Sequence, residues 1–405
     1  MSGGQRTLIE EIATVKGGKR LPEGAAFANA VTDHPYIRAR DIGGNRITFD
    51  EPVYLDERTF AKLKNYTVSE GDVVVTIVGA NIGDVGLVKQ DFDGANLTEN
   101  AAKISVDRLK CDPRFLSFQL SMPHSKEKFR LLTGGAAQGK LGLYKIKSFE
   151  VLLPLLPVQQ RVSQILSAYD DLIENNRRRI ALLEQSARLL YREWFVFFRF
   201  PGHEHVKVID GCPKSWKRKR IGDICTFLGR GISPIYDDDG ESLVVNQKCI
   251  RNRMLSLEQA RRQKKEYKAE KSLRHLDVLI NSTGTGTLGR VAQCWFCPTN
   301  TTFDSHVTVA RATEEVNRLW FGYALLDLES VFEGMGEGAT NQKELSRSRI
   351  ADTCLIAPPN ELQEYFGSFA SDTATQVRIL QDQNQNLVAA RDLLLPRLMN
   401  GEIAV

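Results

Sequence analysis

The polar residues best placed for chemistry in this sequence are of the types that recognise nucleic acid. Asn, Gln, Arg and Lys side chains carry donors and acceptors that match base edges, and Lys and Arg also bind phosphates. Asn246, Gln247 and Lys248 follow a predicted strand, and Arg38 and Arg40 stand at the matching place in the first half of the chain. We predict a DNA-binding set of thirteen residues: Arg38, Arg40, Arg46, Thr76, Asn81, Lys217, Lys219, Asn246, Gln247, Lys248, Arg251, Ser282 and Thr283.

No catalytic arrangement accompanies these residues. The six histidines lie outside every metal-binding or hydrolase motif. The glycine-rich run 134–140 nearly matches a phosphate-binding loop, but Leu141 replaces the Ser or Thr that would hold magnesium. Gly284, Gly286 and Gly289 match GxGxxG, and a tight turn after a strand explains them better than a dinucleotide site. We therefore predict no catalytic residue, no metal and no cofactor in this chain.

Composition sets broad limits on the class of protein. The 405 residues are 42% hydrophobic and 26% charged, which exceeds the usual size of a single core and excludes a disordered chain. A formal net charge of +4 is a weak argument for a polyanion partner. The seven cysteines show no disulfide framework, and the CxxC pair Cys294 and Cys297 lacks the second pair that structural zinc needs. With no apolar leader or spanning segment in the sequence, we expect a cytoplasmic protein.

The chain repeats itself at a shift of about 205 residues, far longer than a solenoid repeat. The segment 71–85, with its buried strand and glycine turn, is echoed by 276–291. We predict two similar α/β (α+β) modules at residues 1–155 and 201–357, each followed by a long helix, at 156–200 and 358–405. The Gly/Pro-punctuated stretch between Phe200 and Trp216 marks the boundary between the halves.

Both long helices carry a heptad-like apolar stripe. The first has Val, Leu, Tyr, Ile, Asn, Ile, Leu, Ala, Leu and Trp at 162, 166, 169, 173, 176, 180, 183, 187, 190 and 194. Adding 204 gives the second stripe, from Phe366 to Leu398, with weaker residues at Thr373 and Arg391. Such stripes predict that the helices pair with each other as a coiled coil.

Antiparallel pairing fits these stripes better than parallel pairing. It matches residues whose numbers add up to 560 and so places Asn176 and Asn384 in one layer. A buried Asn pair would fix the register, while the alternative is that each Asn lies at the wet edge of its helix. Pro396 makes the last layer, Val162 with Leu398, doubtful.

Two similar modules on paired helices suit a ligand with two separated, related sites. The stripe from 162 to 194 corresponds to roughly 50 Å of helix at 1.5 Å per residue. Successive major-groove faces of B-DNA recur about every 34 Å. Duplex DNA with two half-sites is therefore the expected partner.

The sequence resembles the specificity subunits of type I restriction-modification systems over essentially its whole length. The resemblance depends on the order of four segments: Leu153-Pro154-Leu155-Leu156-Pro157-Val158-Gln159-Gln160-Arg161, Tyr191-Arg192-Glu193-Trp194-Phe195, Pro213-Lys214-Ser215-Trp216 and the C-terminal run from Leu395 to Ile403. One departure is that the first module lacks a Pro-x-x-Trp entry, so its N-terminal edge is expected to be shortened or completed by the C-terminal tail.

The resemblance implies a pseudo-two-fold fold with two target-recognition domains, each reading half of a split DNA site. It implies no chemistry in this chain. The helices around 157–195 and 359–398 would bind two modification subunits, which use S-adenosylmethionine. Restriction subunits that translocate DNA with ATP and magnesium would complete the complex.

Two other functions stay open at this point. A DNA methyltransferase or nuclease acting alone would need a cofactor site, and Phe227–Gly231 has the FxGxG spacing of methyltransferases without their Asn/Asp-Pro-Pro-aromatic partner. A coiled-coil adaptor that binds only proteins would have no need of Arg38, Arg40 and Lys248.

Overall fold

The computed structural model describes residues 4–49, 51–133, 139–284, 286–296, 299–338 and 343–405. By its internal contacts the chain forms two compact units, residues 1–175 with 383–405 and residues 176–382. Each unit holds one of the predicted modules and one part of each long helix. The predicted boundaries at 155, 200 and 357 stay predictions.

The described residues of the first half form ten strands and six helices. The strands are β1 (Gln5–Leu8), β2 (Ala13–Gly17), β3 (Tyr36–Ile37), β4 (Ile42–Gly43), β5 (Arg46–Ile47), β6 (Val73–Thr76), β7 (Val85–Leu87), β8 (Asn96–Leu97), β9 (Ala101–Val106) and β10 (Glu150–Leu153). The helices are α1 (Ile9–Ile12), α2 (Glu57–Leu63), α3 (Pro113–Ser121), α4 (Pro123–Leu132), α5 (Leu143–Lys147) and α6 (Leu156–Tyr191).

The second half follows the same plan. Its strands are β11 (Val208–Ile209), β12 (Cys212–Pro213), β13 (Lys217–Arg220), β14 (Cys225–Arg230), β15 (Ser242–Val245), β16 (Ile250–Arg251), β17 (Met254–Leu255), β18 (Arg261–Gln263), β19 (Val278–Asn281), β20 (Val291–Gln293), β21 (Thr301–Phe303), β22 (Val307–Ala312) and β23 (Cys354–Ala357). Its helices are α7 (Arg318–Asp327), α8 (Glu329–Gly334), α9 (Arg347–Asp352) and α10 (Asn360–Met399).

The strand pairing confirms the predicted duplication and the mixed α/β class. A four-stranded antiparallel sheet has the order β2-β9-β6-β7 in the first unit and β14-β22-β19-β20 in the second. A short parallel pair, β3 with β8, corresponds to β15 with β21. The hairpin of β4 and β5 corresponds to that of β16 and β17. The two modules therefore share these pairings, and the second adds β18 beside β15 and the hairpin of β11 and β12.

Each central strand is buried on both faces, because alternate side chains of a strand point to opposite sides of the sheet. In β19, Val278 and Ile280 pack in the core that the helices cover, while Leu279 packs in a second core on the other face. In β6, Val73 and Val75 lie on the helix side and Val74 on the other. We call these the helix face and the loop face of each sheet.

The two long helices pair antiparallel, as predicted. All ten stripe positions of α6 and its π-helical continuation Arg192–Val196, and all ten of α10, are buried or half-buried. In the second unit the rings of Trp194 and Phe366, whose numbers add up to 560, lie 6.3 Å apart. In the first unit Arg391 Nη1 lies 2.6 Å from Asp170 Oδ1, one residue from the predicted match. The pairing of Asn176 with Asn384 stays a prediction.

The doubt about Pro396 was wrong, and of the two outcomes expected for the N-terminal edge of the first module one is observed. Pro396 lies inside α10 and does not break it, because a proline in the last turn removes only one hydrogen bond of the helix. Val162 and Leu398 accordingly share one core. The N-terminal edge is not shortened, since β1 pairs with β10 as β13 pairs with β23. The expected contribution of the C-terminal tail is present, because Met399 is buried in the same core.

A buried glutamine fixes the start of each long helix to its module. In the first unit, Gln159 donates to the backbone oxygen of Pro154 across 2.8 Å and accepts from the backbone N–H of Asp112 across 2.9 Å. In the second unit, Gln363 makes the same bonds to Pro358 and Asn317, both at 2.9 Å. Asp112 and Asn317 cap α3 and α7, so each amide joins two helices through backbone groups.

Replacing Gln159 by Met should lower the free energy of unfolding, because two buried backbone groups then lose their partners. Each such loss costs about 1–3 kcal/mol. The matched control is Gln160→Met, since Gln160 is exposed on the next position of the same helix. Urea unfolding of both variants measures the difference. Equal stability of the two variants would contradict a structural role for the Gln159 amide.

Candidate nucleic-acid interface

The candidate interface of the second unit lies where the turn after β15 meets the end of β19. A short 3-10 turn, Gln247–Cys249, follows β15 directly. The side chain of Asn281, the last residue of β19, donates to the backbone oxygen of Gln247 across 3.1 Å. The structure therefore brings Gln247 together with the residues that follow β19.

The side chain of Asn246 shapes this turn. Its oxygen accepts from the backbone N–H of Lys248 and its amide donates to the backbone oxygen of Gln259, both across 2.8 Å. The residue is buried, and both of its polar atoms are engaged with backbone. In this structure Asn246 therefore acts as a helix cap that orients Lys248.

Two hydroxyl residues, Ser282 and Thr283, follow β19, and each contacts a residue in or next to β22. Ser282 is fully buried and its hydroxyl lies 2.6 Å from that of Thr308 in β22. The hydroxyl of Thr283 lies 2.6 Å from Nδ1 of His306. Ser282 thus supports the strand end, while Thr283 and His306 lie at the protein surface.

Two cations of the second unit are free to bind phosphate. Lys248 lies in the 3-10 turn and Arg251 in β16, and both side chains are exposed. Within the described ranges no acidic side chain pairs with either of them. Their charges are therefore available to a ligand at this surface.

The matching cations of the first unit are already paired. Arg38 precedes the 3-10 turn Ala39–Asp41, and its guanidinium holds the Asp41 carboxylate in two bonds of 3.0 and 2.9 Å. Arg40 is exposed and forms an ion pair of 2.7 Å with Glu51. Arg46, in β5, is half-buried and pairs with no acidic group in the part of the chain that the structure describes. The equivalent surface of the first unit is therefore closer to neutral.

Two further predicted residues of the first unit differ in exposure. Thr76 ends β6, as Asn281 ends β19, and is fully buried with no partner for its hydroxyl among the described residues. Asn81 is exposed in the turn between β6 and β7. Of the two, only Asn81 has a side chain at the surface.

Lys217 and Lys219 lie elsewhere in the second unit. Both belong to β13, whose pairing with β23 continues the helix-face core through Trp216, Leu355 and Ala357. The Gln247–Cys249 turn packs instead through Cys249 on the loop face. The structure does not place these two lysines beside Lys248. A basic run in the sequence does not show on which face of a sheet its residues lie.

His306 is a surface residue of this site that the sequence analysis did not select. It precedes β22, whose first residue, Val307, pairs with Asn281. The backbone N–H of Ser282 donates to the backbone oxygen of His306 across 2.8 Å. Knowledge that β19 and β22 are neighbours would have been needed to place His306 beside Thr283, and no local pattern supplies it.

The glycine motif after β19 is a turn, as predicted. Gly284, Gly286 and Gly289 have φ angles of 108°, 73° and 78°, and the chain continues into β20 rather than into a helix. A dinucleotide fingerprint requires a helix at this point.

The other motifs of the sequence add no second site. The described residues contain no cluster of three or more His, Cys, Asp or Glu able to hold a metal ion. Cys297 and the loop-like residues 134–138 lie outside the described residues. No helix among those searched is long and apolar enough to cross a membrane.

Asp304 is an ionisable group buried beneath this site. It is 3% exposed, and its Oδ1 accepts from the backbone N–H of His306 across 2.9 Å. Burial raises the pKa of Asp304 above its ordinary value, although the bond from His306 acts in the opposite direction. The carboxyl therefore holds the 304–306 turn at some cost in stability when it is ionised.

Comparison with known proteins identifies relatives of one kind. Residues 5–185 match the family described as type I restriction modification DNA specificity domain. The MjaIX specificity subunit of Methanocaldococcus jannaschii is 27% identical, over 98% of this chain and 93% of that protein. The EcoBI specificity subunit of Escherichia coli is 31% identical over a shorter segment, 34% of this chain and 29% of that protein.

A solved structure supports the fold independently. The S subunit of a type I restriction-modification system from M. genitalium superposes with a TM-score of 0.57, at 15% identity, over 98% of this chain and 96% of that chain. At this level of identity the likeness concerns the fold.

Replacing Asp304 by Asn should stabilise the protein more at pH 7 than at pH 4. A raised carboxyl pKa in the folded state means that its stabilising contribution is present at low pH and lost as the pH rises through the folded pKa. Asn stays neutral and keeps an oxygen for the His306 N–H. Urea midpoints at both pH values measure the effect, with Asp238→Asn, a change at an exposed aspartate, as control. A gain that shrinks as the pH rises would contradict the assignment.

Proposed function

Residues 5–185 match the type I restriction modification DNA specificity domain, and on that premise we propose that this chain belongs to that family and selects the DNA sequence on which a type I restriction-modification complex acts. Each module contacts one half of a bipartite duplex site. The chain itself carries out no chemistry. The observation that carries the proposal is the duplication: one order of strands in the four-stranded sheet occurs twice, each time with a turn and a strand end that present polar residues at the loop face.

The differences between the two loop faces support two different half-sites. At the residue before the 3-10 turn, the first unit has Arg38 bound to Asp41 and the second has Asn246 bound to backbone. At the end of the central strand, the first has Thr76 and the second has Asn281. These side chains are buried or bound within the protein, so they shape the two loop faces differently without contacting a ligand. At the surface, Lys248 is exposed while Arg40 is paired with Glu51. Different surfaces on one scaffold are what recognition of two unlike base sequences requires.

The outer faces of the long helices support assembly with other subunits. Six large hydrophobic residues on these helices are half or more exposed: Leu172, Leu182, Leu189, Tyr365, Ile379 and Leu393. Their side chains are available for contacts with other subunits. The proposed partners are two modification subunits, with S-adenosylmethionine as their cofactor, and restriction subunits that use ATP and magnesium.

Base-resolution mapping of methylation tests the proposed function. The full chain, co-expressed with the modification subunits of its own genome, should direct adenine methylation of a random duplex library to one split motif with methyl groups in both halves. Exchange of residues 1–150 for another module should change one half of the motif only. Methyl transfer by the chain alone would favour the methyltransferase alternative, and a stable complex without methylation would favour the adaptor.

Reversing the free charges of the loop face should weaken DNA binding uniformly. We expect Lys248→Glu with Arg251→Glu to reduce affinity about tenfold or more and to lower the salt-dependence slope by about 2, because each phosphate contact contributes roughly 0.9 to that slope. The matched control is Lys217→Glu with Arg218→Glu, which reverses two charges of β13 outside the loop face. Binding isotherms at several salt concentrations provide the measurement. A larger effect of the control pair would contradict the assignment of the loop face.

A further inference from the structure

His306 is an exposed residue at the end of the central sheet of the second unit. It lies in the turn between β21 and β22, and its side chain is exposed beside Thr283. The equivalent residue of the first unit is Asn100, whose backbone oxygen accepts from Ile77 as that of His306 accepts from Ser282. The backbone is thus alike in the two units, while the side chain differs.

The contact with Thr283 involves one ring nitrogen of His306. The Thr283 hydroxyl lies 2.6 Å from Nδ1, and which of the two groups donates depends on the tautomer of the ring. In the tautomer in which the hydroxyl donates, Nδ1 accepts and the proton of the neutral ring is on Nε2.

The same bond fixes the direction of that proton. Thr283 is itself held by backbone, since it pairs with Glu344 as an antiparallel bridge and the neighbouring Ser282 oxygen accepts from the N–H of Leu345 across 2.8 Å. On the other side, the Asp304 carboxylate holds the backbone N–H of His306. Glu344 is neutralised by Arg230 at 2.6 Å. The imidazole is therefore held on both sides by residues bonded to the backbone, which orient it as a donor.

We propose that His306 is a specificity-determining residue, whose Nε2–H donates to an acceptor on a base edge in the half-site of the second module. This inference depends on the proposed function. In the major groove the possible acceptors are purine N7, guanine O6 and thymine O4, whereas cytosine presents a donor. A single oriented donor therefore selects against cytosine at one position. Lys248 and Arg251, as free point charges, supply the phosphate contacts.

The experiment compares four variants of the full chain, each co-expressed with the modification subunits and mapped on the random duplex library. His306→Ala removes the donor. Thr283→Val removes the hydroxyl that orients the ring, and Thr283→Ser keeps it. His205→Ala is the matched control, because His205 is exposed in the connector between the modules.

We expect His306→Ala to lose discrimination against cytosine at one position of the second half-site, by about tenfold, the usual size for one mismatched contact. Thr283→Val should lose part of that discrimination, and Thr283→Ser should restore it, which a purely structural role for the residue would not predict. His205→Ala should match the wild type. The first half-site reports on folding within each variant, because its motif should not change.

Two results would overturn the inference. A uniform loss of methylation over all sequences in the second half-site would make His306 a phosphate contact, and an unchanged motif would leave it without a role in specificity. Failure of the proposed function gives a different result, since the wild-type complex would then direct no motif at all.

Discussion

The attachment of each long helix to its module depends on one buried amide. Gln159 and Gln363 are 1% and 2% exposed, and each uses its donor on a proline carbonyl and its acceptor on the cap of a neighbouring helix. A backbone carbonyl before a helix and an N–H at a helix start are groups that the helices themselves leave unpaired. One glutamine satisfies both. The segment from Leu153 to Arg161 contains both partners of one of these bonds. Pro154 follows the end of β10, and Gln159, in the first turn of α6, donates to the carbonyl oxygen of Pro154.

The two faces of each sheet have different roles. The core on the helix face joins the module to the long helices, where Trp320 of α7 packs against Phe195 and Tyr323 of α7 packs against Phe366. The loop face packs smaller cores beneath turns that present polar groups. A strand buried on both faces joins the two, so side chains can change on the loop face without disturbing the attachment to the helices. The two units illustrate this, because the order of strands in the four-stranded sheet is the same in both while the capping of the 3-10 turn differs. In the first unit the Asp41 carboxylate accepts from the backbone N–H of Arg38, and in the second the Asn246 side chain accepts from the backbone N–H of Lys248.

Features set by local periodicity could be predicted from the sequence, and features set by long-range contacts could not. The stripes of α6 and α10, their antiparallel match and the duplicated strands follow from residue spacing alone. Arg40 looked like a free cation because its partner Glu51 lies 11 residues away in a loop of unknown path. His306 was overlooked because it approaches Thr283 only through the pairing of β19 and β22, 23 residues apart in sequence. Lys217 and Lys219 were grouped with Lys248 because a sequence does not show which face of a sheet a strand end serves.

The core of each unit is completed by both long helices. In the first unit, Val162 and Leu166 from the start of α6 share a core with Leu398 and Met399 from the end of α10. In the second unit, Ala187 and Tyr191 of α6 share a core with Phe366 and Ala370 of α10. A module is therefore not an independent globule, since residues of both long helices cover part of its apolar surface. A substitution on the loop face leaves this contact in place, because the sheet lies between the loop-face core and the core that the helices cover.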